Sequence, residues 1–170
     1  MRASVPLLAC TGVALAALSL CGCTKRIDEQ AARAVVDKVE QATKDVNWGG
    51  VHYYLSTDCM VHDTSPNQSG TMETTSKSCS DAVDEGAKVL RDAAYQGATH
   101  TYSYEIHDVQ VKGPKAVAHV SSTVTISNRG HSLKSVSDAA ETVEMRDSKL
   151  LITAIDEKVT DLEIDGKKVL

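Results

Sequence analysis

Five tyrosine and histidine side chains could do acid–base chemistry if the fold turned them inward. A tyrosine hydroxyl can donate a hydrogen bond, and an imidazole can gain or lose a proton near neutral pH. A tyrosine on a core face is usually a packed residue with a satisfied hydroxyl, however. We therefore treat them as candidates for the lining of a cavity and assign no catalytic residue. They are Tyr53, Tyr54, His62, Tyr102 and Tyr104.

A second group is His107, Asp108 and His119, which a bulged hairpin would bring to one face of a sheet. Two imidazoles and a carboxylate could form a weak metal site or a pH sensor. Three solvated sheet residues would look the same in sequence, and we favour that interpretation. The sequence contains no GxSxG, HExxH, Walker or EF-hand motif. We expect no metal and no cofactor.

The first 22 residues are typical of a secretory signal. Arg2 is followed by an apolar run over 5–20 that is too short for a membrane span. The run ends in Leu-Cys-Gly-Cys at 20–23, which resembles the bacterial lipobox. The resemblance implies that Cys23 is lipidated and that 23–27 is a short tether. The alternative to lipidation is a soluble secreted protein. By family analogy, Thr24 is not the aspartate that retains lipoproteins in the inner membrane, so the outer membrane facing the periplasm is favoured.

Two cysteines, Cys59 and Cys79, remain after the signal segment and Cys23 are set aside. In an oxidising compartment they are expected to form a disulfide. The bridge would close a loop of about 20 residues and stabilise the fold by roughly 3 kcal/mol. Two free buried thiols or a metal site are the alternatives.

Composition excludes some classes of function. The 170-residue chain has a net charge of −5 and lacks a large Lys/Arg cluster, so nucleic-acid binding is not expected. It has no Phe and one Trp, so the core must be built from Val, Ala, Leu and Ile. The lack of Phe also weighs against a large aromatic pocket.

The first predicted helix covers 28–46, with Asp28 as its N-cap. Its apolar stripe should pack on the fold. The stripe is Ile27, Ala31, Val35, Val39, Ala42 and Val46, and the opposite, solvent-facing side holds Arg33, Asp37, Lys38, Glu40 and Lys44.

The rest of the chain alternates between helix and strand signals. We predict a short helix over 51–57, a short strand over 59–62, a polar loop over 63–78 with a possible short strand at 71–74, and a helix over 80–95. A hairpin over 99–127 and strands over 132–146 and 149–159 follow.

The hairpin turns at Gly113-Pro114, which places Val111 opposite Ala116. Farther from the turn the apolar positions change parity, which predicts a β-bulge at 107–108. Small polar side chains lie on the face away from the core. These candidate partner-binding residues are Ser103, Glu105, Ser121, Thr123 and Thr125.

This element order resembles the NTF2-like (SnoaL-like, cystatin-like) superfamily, as do the segments Asp-Val-Asn-Trp at 45–48, Asp-Val-Gln-Val-Lys-Gly at 108–113 and Ala-Val-Ala at 116–118. The resemblance implies one α+β domain over 28–170. It would be a cone in which a bent antiparallel sheet of four long strands wraps around an N-terminal helix and a second long helix. Such cones often dimerise through the convex sheet face. A lipocalin-like or other α+β sandwich is the alternative.

The superfamily includes isomerases, dehydratases and cyclases that use paired carboxylate, Tyr or His groups. The match fails in part, because the helix over 28–46 contains no Tyr. We therefore predict a non-catalytic, membrane-anchored lipoprotein that binds a protein partner, as an accessory or immunity-type protein that neutralises a periplasmic toxin or effector. The alternatives are a small-ligand binder or isomerase/dehydratase-like enzyme that uses the cone, and a structural subunit of an envelope or secretion assembly.

Overall fold

The computed structural model describes residues 27–67 and 69–170. The predicted signal segment, the predicted lipidation site Cys23 and most of the predicted tether lie outside the described residues. Within the described part, none of the helices combines the length and the apolar character that a membrane span requires.

The first helix, α1, spans Glu29–Lys44. The Asp28 carboxylate caps it by accepting from the Ala31 N–H at 2.7 Å. The helix ends two residues earlier than predicted, because Val46 has a left-handed φ of 56°.

The stripe predicted on α1 is wrong at several positions, and one of them matters for the site. Glu40, assigned to the solvent-facing side, is only 7% exposed, whereas Val46 is exposed. Ala32 and Val36 are fully buried. The helix turns its 32, 36, 39 and 40 positions inward. Glu40 shares this inward face with Val36 and Val39, and its charge alone led to its assignment to the surface.

The second helix, α2, spans Trp48–Tyr54 rather than 51–57. Its start is set by Asn47, whose side-chain oxygen accepts from the Gly50 N–H at 3.1 Å. Gly50 is packed so closely that a Cβ there would lie 2.7 Å from the Asn47 side-chain nitrogen and 3.2 Å from the Ala42 methyl group. This contact fixes α2 against the end of α1.

The polar loop predicted over 63–78 is wrong for most of its length, but the possible short strand within it, at 71–74, is confirmed in part by β2. Strand β1 spans Leu55–Pro66 and pairs antiparallel with β2, Met72–Ser78. Hydroxyl groups reinforce the pairing, since Thr64 and Thr74 share a hydrogen bond of 2.8 Å across the strands. The β-branched threonines therefore favour a two-stranded ribbon where composition suggested a loop.

The third helix, α3, spans Cys79–Tyr95, with Ser78 as its N-cap. Cys79 forms the predicted disulfide with Cys59, with a Cα–Cα distance of 5.3 Å, and both cysteines are 1% exposed. The rest of α3 is half-buried or exposed. The bridge therefore fixes the start of a helix whose other residues are only partly buried.

Four long antiparallel strands follow, as predicted: β3, Thr99–Lys112; β4, Lys115–Asn128; β5, His131–Arg146; and β6, Lys149–Ile164. The two-residue β7, Lys167–Lys168, pairs with β6. The strand order is β2-β1-β6-β5-β4-β3. Because β1 runs parallel to β6, the sheet as a whole is mixed rather than purely antiparallel.

The β-bulge predicted in the hairpin is confirmed by a register shift between Ile106 and Asp108. The Val111–Ala116 pairing near the turn is also as predicted. Helix α1 supports the bulge, since the Arg33 guanidinium donates to the Ile106 carbonyl oxygen at 3.0 Å. The bulge bends the sheet so that its concave side faces α1.

Candidate ligand-binding site

The concave side of the sheet encloses a cavity of about 430 Å³, bounded by the three helices and by β1, β3, β4, β5 and β6. Most of its lining is apolar. Helix α3 contributes one face with a spacing of three or four residues, which is the spacing of neighbours on a helix. The apolar lining includes Val39, Trp48, Val51, Val83, Leu90, Val124 and Ile155, and Gly86 lies on the α3 side.

Three glutamates from three elements line this apolar space: Glu40 on α1, Glu141 on β5 and Glu157 on β6. Glu141 is 2% exposed and Glu157 is half-buried. On β5, Glu141 lies opposite Ala118 of β4 and Ile155 of β6. A strand that alternates inward and outward positions thus carries a carboxyl group into the core.

Burial dominates the electrostatics of this cluster. Desolvation raises the pKa of Glu141 well above its ordinary value, and the nearby Glu40 carboxyl raises it further. Desolvation also raises the pKa of Glu40, although hydrogen bonds with Glu141 and Tyr102 act in the opposite direction. A hydrogen bond between two carboxyl groups requires a proton on one of them. The Glu40–Glu141 pair therefore holds a proton at a pH where exposed glutamates are ionised.

Tyr102 supplies the hydrogen-bond donor of the cluster. Its hydroxyl donates to Oε2 of Glu40. Burial, followed by the charge of Glu40, raises the pKa of Tyr102, so this hydroxyl stays protonated. At Glu157, desolvation raises the pKa and a hydrogen bond with Ser137 lowers it.

One oxygen atom of the cluster has no partner within the described residues. Oε2 of Glu141 is buried and forms no hydrogen bond. Buried polar atoms are paired in the great majority of cases, and leaving one unpaired costs about 1–3 kcal/mol. The wall of the cavity therefore presents a polar atom that is available for a further hydrogen bond.

Solved structures with the same arrangement of helices and sheet are numerous. A ketosteroid isomerase-like protein from Erwinia carotovora atroseptica superposes with a TM-score of 0.57 at 12% identity, covering 77% of this chain and 95% of that one. An NTF2-like protein of unknown function from Methylobacillus flagellatus gives 0.53 at 11% identity, with 76% and 90% covered. The chain has an NTF2-like fold.

The same fold occurs in a protein provisionally assigned as the β subunit of an aromatic-ring-hydroxylating dioxygenase from Novosphingobium aromaticivorans, with a TM-score of 0.54 and 11% identity over 77% of this chain and 88% of that one. No family model and no curated protein sequence matches the chain. At these identities the likeness establishes the NTF2-like architecture alone.

The structure separates the five cavity candidates. Tyr102 lines the cavity of the NTF2-like cone. The Tyr104 hydroxyl instead donates to Asp37 at 2.9 Å near the surface, and burial raises its pKa to about 12. The rings of Tyr53 and Tyr54 pack edge to face with centroids 5.0 Å apart, and His62 bonds Ser76 on the neighbouring strand. The last four side chains do not belong to the lining described above.

The five candidate partner-binding residues lie together on the outer face of the cone. Ser103 pairs with Thr123, and Glu105 pairs with Ser121. Thr125 follows on the same face of β4. The alternation of the strands places this surface opposite to Tyr102 and the carboxyl cluster.

His107, Asp108 and His119 do not converge on one point. His119 bonds Asp108 at 2.7 Å, whereas His107 bonds Ser121 at 2.7 Å. Hydrogen bonds from Gln110 and then His119 lower the pKa of Asp108. In the described part of the chain, no group of three or more His, Cys, Asp or Glu is arranged to hold a metal ion.

Sequence reasoning missed the glutamates that make the site. The available signal was parity: on β5, positions 137, 139, 141 and 143 share a face, and only 141 is charged. On α1, Glu40 follows Val36 by four residues, which places both on one face. A charged residue at an inward position is the feature by which the cluster could have been found.

Proposed function

We propose that the cone binds a small organic molecule whose apolar body fills the cavity and whose polar end contacts Glu141, Glu40 and Tyr102. The observation that carries this proposal is the unpaired, buried Oε2 of Glu141 in an apolar wall. We place it ahead of capture of a protein partner, because this oxygen belongs to a cluster of three glutamates that line one cavity.

The dimensions and chemistry of the cavity support this function. A volume of about 430 Å³ falls within the roughly 300–1,000 Å³ typical of small-molecule sites. Such sites combine apolar walls with a few convergent polar groups and with perturbed pKa values. The chain shares its fold with a ketosteroid isomerase-like protein, and ligand binding in the cone agrees with that likeness. A proton held between Glu40 and Glu141 would also be available for transfer to a bound ligand.

The test uses a substitution that fills the cavity. Gly86 lies on α3 in the cavity lining, and a Cβ added there meets no atom within 4 Å. Replacing a helical glycine also favours the helix by about 1 kcal/mol. We expect Gly86→Leu to fold at least as stably as the parent and to lose binding of the neutral apolar dye N-phenyl-1-naphthylamine.

Ala94→Leu, at an exposed position of the same helix that does not line the cavity, is the matched control and should bind the dye as the parent does. Trp48, the only tryptophan, lines the cavity and reports binding through its fluorescence. If Gly86→Leu binds as tightly as Ala94→Leu, or if the parent does not bind, the cone is not the binding site.

A second candidate function is protein binding through the outer face of β3 and β4. Small polar side chains there, with Thr123 beside Ser103, would let another surface approach closely. Thr123→Arg should leave the melting temperature nearly unchanged and abolish self-association or partner capture by adding an uncompensated charge. Ala94→Arg is the control on another face. Normal association of Thr123→Arg would exclude this surface.

A further inference from the structure

We propose that the ligand of the cone is a cation, namely a small organic amine whose ammonium group donates hydrogen bonds to Glu141 and Glu40. This inference rests on the proposed ligand-binding function and specifies the class of ligand.

The charges around the cavity are the first reason. The described lining contains three carboxyl groups and no Lys or Arg. His100 and Tyr102 are its other titratable residues. An anionic ligand would add to this negative charge in a poorly solvated space, whereas an ammonium group would compensate it.

The balance of hydrogen-bond donors and acceptors is the second reason. Tyr102 donates to Glu40, and Ser137 bonds Glu157, but Oε2 of Glu141 receives no hydrogen bond from the described residues. Once the pair is ionised, its carboxylates can only accept, so a ligand that binds this form has to supply the donors. An ammonium group has three N–H donors and no acceptor, which matches a site with surplus acceptors.

Binding of a cation also has to displace a proton. Without ligand, the Glu40–Glu141 pair retains one because desolvation raises both pKa values. An ammonium group stabilises the ionised pair, so the proton is released to solvent and affinity rises with pH. The titratable groups that face the pair or lie near it are Asp37 of α1, His100 and Tyr102 of β3, Asp63 of β1 and Glu157 of β6.

Three eight-carbon probes that differ only in their head groups test the inference: octylamine, octanol and octanoate. Octylamine stays protonated across the measured range because alkylammonium groups titrate near 10.4, as lysine does. By calorimetry at neutral pH, we expect octylammonium to bind roughly tenfold or more tightly than octanol and octanoate. Its affinity should increase between about pH 5.5 and 8.5, while the affinity for octanol stays constant.

Glu141→Gln should reduce the affinity for octylammonium by roughly tenfold and retain octanol binding. Glu73→Gln, at an exposed position of β2 outside the cavity lining, is the control and should change neither. Octanol or octanoate binding as tightly as octylammonium would overturn the cationic ligand and leave the proposed function intact. If none of the probes binds and Gly86→Leu has no effect on dye binding, the proposed function fails as well.

Discussion

Tyr102 and Tyr104 lie two residues apart on β3, yet their hydroxyl groups donate to carboxylates in different surroundings. Tyr102→Phe leaves the buried Glu40 without its donor, so we expect the free energy of unfolding to fall by about 1–3 kcal/mol. Tyr104→Phe removes a bond to the exposed Asp37 and should cost less than about 1 kcal/mol. Urea denaturation compares the two. Equal losses would show that the Tyr102 bond is no stronger than a surface bond.

The buried carboxyl pair predicts a pH dependence of stability. An unperturbed glutamate titrates at 4.5, and the pKa of Glu141 is raised well above this in the folded chain. The folded state therefore binds more protons than the unfolded state above pH 4.5, and stability is lost as pH rises through the raised pKa. Glu141→Gln removes this titration, so its free energy of unfolding should decline less than that of the parent between about pH 5 and 8.

Urea denaturation at several pH values measures that slope, and Glu105→Gln on the outer face serves as the control. A slope unchanged by Glu141→Gln would mean that Glu141 titrates alike in the folded and unfolded states.

The inward glutamates were missed in the sequence because their charge was given more weight than their positions in the helix and strand periodicity. Tyr102, by contrast, was found because its residue type and its position in the strand periodicity both indicate an inward side chain.

At the scale of elements, α1 and α3 play different parts. Val36 on α1 is fully buried, whereas Val89 on α3 is 57% exposed although it borders the cavity. We expect Val36→Ala to lower the free energy of unfolding by about 1–2 kcal/mol through lost methyl burial and a residual cavity. Val89→Ala should change it by less than about 0.5 kcal/mol.

Thermal or urea unfolding of both variants measures these two changes in the free energy of unfolding. Comparable losses would show that α3 is part of the core rather than a cover over the cavity. Beyond the disulfide at Cys79, the residues of α3 are half-buried or exposed, which is the burial expected of a cover over the cavity.

Element prediction succeeded where two signals agreed. The turn at Gly113-Pro114 and the change of apolar parity together indicated the bulge, and the register confirms it. It succeeded only in part for β2, where a possible short strand at 71–74 was placed inside a loop because the serine- and threonine-rich composition was given more weight than the β propensity of threonine. The parallel pairing of β1 with β6 could not be predicted, because it depends on contacts between distant parts of the chain.

At the scale of the whole molecule, the proposed lipid anchor would hold the domain close to a membrane. Ile27 is buried at 6% exposure, and only the three residues 24–26 lie between it and Cys23. A tether of this length spans at most about 14 Å. Cys23→Ala should therefore move the protein from the membrane fraction to the soluble fraction in fractionated cells. A variant that still sediments with membranes would contradict lipidation at this residue.

The parallel pairing of β1 with β6 also constrains the order in which the chain can assemble. Val61 pairs with Ile155, so one partner of this contact is synthesised early and the other late. The β1–β2 ribbon depends on contacts that are close in sequence and can form early. It cannot pair with β6 until β6 has been synthesised. Closing so long a loop is entropically costly and slow. Docking of the N-terminal ribbon onto β6 should thus be a late step, and the cavity should acquire its β1 wall only then.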